Sequence, residues 1–192
     1  ALPLMSEDVT GFFAVLLAAC MCAVIAMIDI AAPSVSLEGK TLWQLQSLPV
    51  DPWQPLLAKL RIQWILTLIP TLICSILAIF AFPFTVPERF LILLLPLAYG
   101  IFSGMAGLSL GLKFPNLSWT NETAPIKQSA SVTIALFGGW GYAIIVGGLY
   151  FLLYPFLSAA VYLVLVLALT IILSALLYAW LRKRGTKIFA SL

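Results

Sequence analysis

A chain of 192 residues in which 63% are apolar and only 9% are charged is not an ordinary soluble domain, where about a quarter of residues carry charge. Its formal net charge of +3 is too small to suggest a nucleic-acid partner. The lack of any His removes the usual proton shuttle, the usual metal ligand and any Ser-His or Cys-His nucleophile pair. The composition therefore predicts an all-α, polytopic transmembrane helix bundle embedded in a lipid bilayer. It offers no cofactor, metal or catalytic constellation.

The first ten residues carry Glu7 and Asp8 but no Lys or Arg, so the apolar run that follows does not read as a signal peptide. Thr10 to Ile30 is long enough to cross a ~30 Å hydrocarbon core at about 1.5 Å per residue and is the first expected span. Asp29 stands at its inner end. An ionisable group within a span is a functional candidate, although so close to an interface it also reads as a hydrated or capping group. Cys20, Cys22 and Cys74 all fall in apolar runs and read as small buried hydrophobes.

The polar insert Ser36 to Arg61 follows. Leu42, Leu45 and Leu48 recur at helical spacing beside Trp43, while Glu38, Lys40, Gln44 and Gln46 supply polar surface; a short amphipathic helix over Leu37 to Leu48 is expected, capped by Ser36 and ended by Pro49. Asp51-Pro52 reads as the N-cap and first residue of a second helix, which runs through Lys59 and Arg61 into the membrane. Such an insert either lies on lipid headgroups or docks a partner protein.

Gln63 to Phe82 is the second expected span, with a kink at Pro70. After a short turn holding Pro83 and Pro87, the third span covers Phe90 to Leu112. Its Gly100, Gly104, Gly107 and Gly111 recur at steps of four, three and four and so share a face; they are expected to form a helix-packing seam rather than a substrate groove. A second polar loop takes up Lys113 to Val132. The fourth span, Thr133 to Tyr154, carries Gly138, Gly139, Gly141, Gly147 and Gly148, which invite a bend. The fifth runs from Ser158 to Trp180, and a basic tail over residues 181–192 holds Arg182, Lys183, Arg184 and Lys187.

Orientation follows from charge. With the basic tail in the cytoplasm, alternation through five spans puts loops 31–62 and 113–132 on the same side. Lys40, Lys59, Arg61, Lys113, Lys127, Arg182, Lys183, Arg184 and Lys187 are then inside, and only Arg89 is outside, as the positive-inside bias requires. Asn116-Leu117-Ser118 and Asn121-Glu122-Thr123 fit the glycosylation sequon, but on cytoplasmic loops they are chance matches.

Two blocks carry a resemblance. Ser36-Leu37-Glu38-Gly39-Lys40, then Trp43 and Ser47-Leu48-Pro49, together with Leu112-Lys113-Phe114-Pro115-Asn116-Leu117, Trp119-Thr120-Asn121-Glu122-Thr123 and Lys127-Gln128-Ser129-Ala130-Ser131, resemble the cytoplasmic loops of bacterial ABC-2 type transporter permeases. The resemblance covers roughly a quarter of the chain. It implies a multi-pass plasma-membrane subunit with a cytoplasmic C-terminus, forming an export pathway together with a second permease half or a homodimer partner. It implies a separate ABC ATPase subunit, consistent with the absence of a phosphate-binding loop here. It assigns ATPase coupling to Glu38, Gly39, Lys40, Trp43, Leu48 and Pro49, supported by Lys113, Pro115, Trp119, Asn121, Glu122 and Lys127. Permease halves of this kind have six spans with both ends inside, so the five spans correspond to the last five and at least one upstream span is expected. Their re-entrant helices before the last span have no room between Tyr154 and Ser158. Spans almost free of charge favour a lipid-like or amphipathic substrate over a small ion. A structural membrane subunit without its own pathway, and an ion-coupled transporter or channel relying on Asp29, are the competing readings.

Overall fold

A computed structural model describes residues 7–42, 44, 47, 49–117, 119 and 129–192. Among them there is no strand, and five helical segments are long and apolar enough to cross a membrane. In chain order the elements are α1 (Glu7–Met27), α2 (Ala31–Glu38), a 3-10 turn (Gly39–Thr41), α3 (Trp53–Ala81), α4 (Val86–Lys113), α5 (Ala130–Leu153) and α6 (Ala159–Trp180). A π-helical turn (Leu181–Gly185) then leads into α7 (Thr186–Ser191).

The most deeply buried span is α4, which packs against α1, α2, α3, α5 and α6. Its start is fixed locally. Thr85 caps the helix, the Glu88 carboxylate reaches back to the Thr85 N–H at 2.9 Å, and Pro87 occupies the first turn, where a missing N–H costs nothing. At the other end of the bundle α3 begins at Trp53 with Pro52 as its N-cap, one residue later than expected, and the Asp51 carboxylate accepts from the Trp53 N–H at 3.0 Å. From there α3 continues unbroken through Lys59, Arg61 and Pro70.

The polarity of α3 is turned inside out. Its buried stripe is Leu56, Leu60, Gln63, Thr67, Thr71, Ser75 and Ala78, whereas Ile65, Ile69, Ile73, Leu77 and Phe80 face outward. In water that arrangement would be unfavourable. Against lipid tails the outward apolar face loses nothing, and small or hydroxyl side chains let helices approach closely. Thr67 and Thr71 donate to the carbonyls of Gln63 and Thr67, each at 2.7 Å, so their hydroxyls are satisfied within the helix.

Several expectations are corrected. The apolar segment does not stop at Ile30: the chain breaks at residues 28–30 and resumes as α2 to Glu38. Ser36 is therefore not the cap of a helix over Leu37 to Leu48 but lies in the last turn of α2, which ends at Gly39 with φ +44°. Only Cys22 is buried; Cys20 and Cys74 lie on the exposed outer face, where lipid replaces core. The basic residues after Trp180, placed on a tail without a stated conformation, sit on a helical continuation, with Leu181 and Phe189 buried among Leu42, Leu56, Leu60 and Leu112. That apolar cluster binds α3, α4 and α6 together at the end of the bundle bearing most of the basic residues.

Candidate functional site

The break between α1 and α2 is held by two side chains. Asp29 Oδ1 accepts from the backbone N–H groups of Ala31 at 3.0 Å and Ala32 at 3.1 Å, satisfying two donors that the start of α2 leaves open. Gln63 reaches in from α3: its Oε1 accepts from Ile30 N–H at 2.8 Å and Ala31 N–H at 3.2 Å, and its Nε2 donates to the Ile28 carbonyl at 2.6 Å. Gln63 is only 1% exposed. A helix broken at membrane depth must have its freed backbone groups satisfied by protein, and this one amide serves both strands of the break. Asp29 is thus a capping group, one of the two roles its position suggested.

The seam glycines of α4 line this region. A Cβ on Gly100 would meet Leu68 and Thr67 of α3, and one on Gly104 would meet Gln63 at 2.9 Å. At Gly107 it would collide with the Asp29 carboxylate, and at Gly111 with the Ala32 carbonyl oxygen. The four positions therefore meet two partners in succession, α3 and then the break with α2.

At the far end of α2 the two polar loops meet. Asn116 N–H donates to the Ser36 hydroxyl at 3.0 Å, and the Trp119 indole N–H donates to the Ser36 carbonyl at 2.6 Å. The Trp119 ring lies over Gly39, whose Cα leaves it room: a Cβ there would come within 2.8 Å of Nε1. Glu38 forms an ion pair with Lys59 of α3, and the Lys59 ammonium also donates to the Ser34 carbonyl at 3.2 Å. Lys113 sits 5.2 Å from the Trp180 ring centroid, a cation–π contact joining α4 to α6. Pro49 is exposed and Pro115 half-buried. Trp43, Leu48, Asn121, Glu122, Lys127 and the Lys40 side chain lie outside the described residues.

Gln63 was not singled out from the sequence as anything but the start of a span. Its signal was present: it is the first of four polar residues, Gln63, Thr67, Thr71 and Ser75, spaced by four in an otherwise apolar run. Pro33 was a second, since Pro is at home in a helix's first turn, and here it is the third residue of α2. Among the described residues no three His, Cys, Asp or Glu gather as metal ligands would.

A five-span bundle with an inside-out polar stripe and a broken first helix defines a multi-pass α-helical membrane protein. Compared with protein-family models, curated proteins and solved structures, the chain has no significant match.

Proposed function

We propose that this chain is the permease subunit of an ATP-driven transporter of the ABC-2 type, acting in a bacterial plasma membrane with its C-terminus in the cytoplasm. A separate ATPase subunit supplies the energy, and a second permease half or second copy completes the pathway, with export as the direction. The observation supporting this reading is the junction of the two motif-bearing loops. Ser36 and Gly39, which are buried, and Asn116 and Trp119, which are half-buried, come from segments some 80 residues apart, yet they form one junction. A junction that ties both loops together is what lets a subunit docked beside it move more than one helix at once. Within it, Glu38 is engaged by Lys59, so the residues left for a partner are those without internal work, such as exposed Gln44, Pro49 and Val50.

The test is affinity purification of the tagged protein from its native membrane under mild detergent, with bound subunits assayed for ATP hydrolysis. Wild type is expected to retain an ATPase, and Trp43→Ala and Val50→Asp to lose it while inserting normally. Recovery of no ATPase with wild type refutes the coupling role and moves the structural-subunit reading ahead.

A further inference from the structure

A cavity of about 230 Å³ lies between α1, α4 and α5, beside the break. Its walls include Asp29, Tyr99, Phe102, Gly107, Gly139 and Tyr142. Three aromatic rings stand together there: Tyr99 and Tyr142 stack with centroids 4.6 Å apart, and Phe102 lies 6.1 Å from Tyr99 and 6.3 Å from Tyr142. The Tyr142 ring is held by its packing against Tyr99 and Phe102, and its hydroxyl lies 2.6 Å from Thr170 Oγ1.

Two polar atoms at this cavity have no hydrogen-bond partner among the described residues. Tyr99 lines the cavity and is 1% exposed, and its hydroxyl makes no hydrogen bond among the described residues. Asp29 commits Oδ1 to the α2 amides, while Oδ2 accepts no hydrogen bond among the described residues. Glycine at 107 and 139 leaves both atoms room, because a side chain would strike the Asp29 carboxylate at the first position and the Tyr99 hydroxyl at the second.

From this geometry we infer that the cavity is a binding site for an organic ammonium group. A carboxylate supplies the counter-charge, and Tyr99, Tyr142 and Phe102 line the same cavity with aromatic rings, whose faces attract a cation. Other ligand classes fit less well. An anion meets the Asp29 charge. A bare metal ion needs several oxygen ligands and finds one carboxylate, and an uncharged apolar molecule leaves Oδ2 and the Tyr99 hydroxyl unmatched. The volume, below the roughly 300 Å³ at which drug-sized sites begin, suits a small headgroup. This inference is independent of any ATPase.

The experiment is calorimetric titration of the full chain, reconstituted in phosphatidylglycerol nanodiscs, with choline and with choline's uncharged tert-butyl isostere. Choline is expected to bind saturably and the isostere not to. Asp29→Asn keeps an oxygen for the α2 amides and so keeps the fold, yet it is expected to weaken choline binding at least about tenfold. Tyr142→Leu is expected to weaken it by about tenfold, and Tyr142→Phe, which keeps the ring face, to stay within about twofold of wild type. Adding phosphatidylethanolamine to the discs separates the sources: competition with choline assigns the site to a lipid headgroup, and its absence to a free amine. No saturable choline binding, equal binding of the isostere, or unchanged affinity in Asp29→Asn overturns the inference.

Discussion

Replacing Gln63 with Leu removes the amide that spans the break between α1 and α2 at little change in volume, so the cavity contribution is small. Three hydrogen bonds disappear, to Ile28 O, Ile30 N and Ala31 N. Ala31 N–H keeps Asp29 Oδ1 at 3.0 Å, which leaves two groups unsatisfied, the Ile28 carbonyl and the Ile30 N–H. An orphaned polar group away from water costs about 1–3 kcal/mol, whereas hydrogen bonds measured within membranes average about 0.6 kcal/mol. The lower end applies, and Gln63→Leu is predicted to destabilise the bundle by about 2 kcal/mol. The assay is equilibrium unfolding in mixed micelles under increasing denaturing detergent. Because Ala31 N–H is shared between Asp29 and Gln63, Asp29→Ala combined with Gln63→Leu deprives it of both acceptors. The double variant should cost about 1 kcal/mol more than the sum of the singles. A change below about 0.5 kcal/mol for Gln63→Leu, or strict additivity in the double variant, would refute the account of how the break is held.

Three further predictions use the same assay. Gly111→Ala should destabilise by about 1–3 kcal/mol, because its methyl is driven into the Ala32 carbonyl, while Gly138→Ala, whose Cβ meets nothing within 4 Å, should stabilise by up to about 1 kcal/mol through helix propensity alone; equal signs at the two sites would sink the packing argument. Gly39→Ala combines a φ of +44° with contact on the Trp119 ring and should cost about 1–3 kcal/mol, read also as faster proteolysis between residues 36 and 60. Lys59→Met leaves the Glu38 carboxylate without its cation; it should destabilise by about 1–3 kcal/mol, with Glu38→Gln in the same chain recovering much of the loss, and no recovery would show that the pair is not what holds α2 to α3.

Length and hydropathy made the five membrane segments legible, because crossing a bilayer imposes a simple requirement on composition. The start of α3 beside Asp51-Pro52 was also readable to within one residue, since capping is local chemistry. The break at residues 28–30 was not read, as it holds neither Gly nor Pro and depends on Gln63, more than 30 residues away. Ser36 misled for a related reason: a Ser before Leu and Glu looks like a helix start, yet its hydroxyl accepts from Asn116 in the second loop. The aromatic group at the cavity was equally hidden. Tyr99 and Phe102 are one helical turn apart, but Tyr142 joins them only through the packing of α5 on α4. Single-sequence reading reaches contacts within a helix and misses those between helices.

The eight residues of α2 make a rod about 12 Å long at 1.5 Å per residue. One tip carries Asp29 at the cavity wall and the other carries the Trp119 perch and the Lys59 clasp. Asp29 caps the rod's inner end and Lys59 pairs with Glu38 at its outer end, so the wall of the cavity and the loop junction lie at the two ends of one short helix.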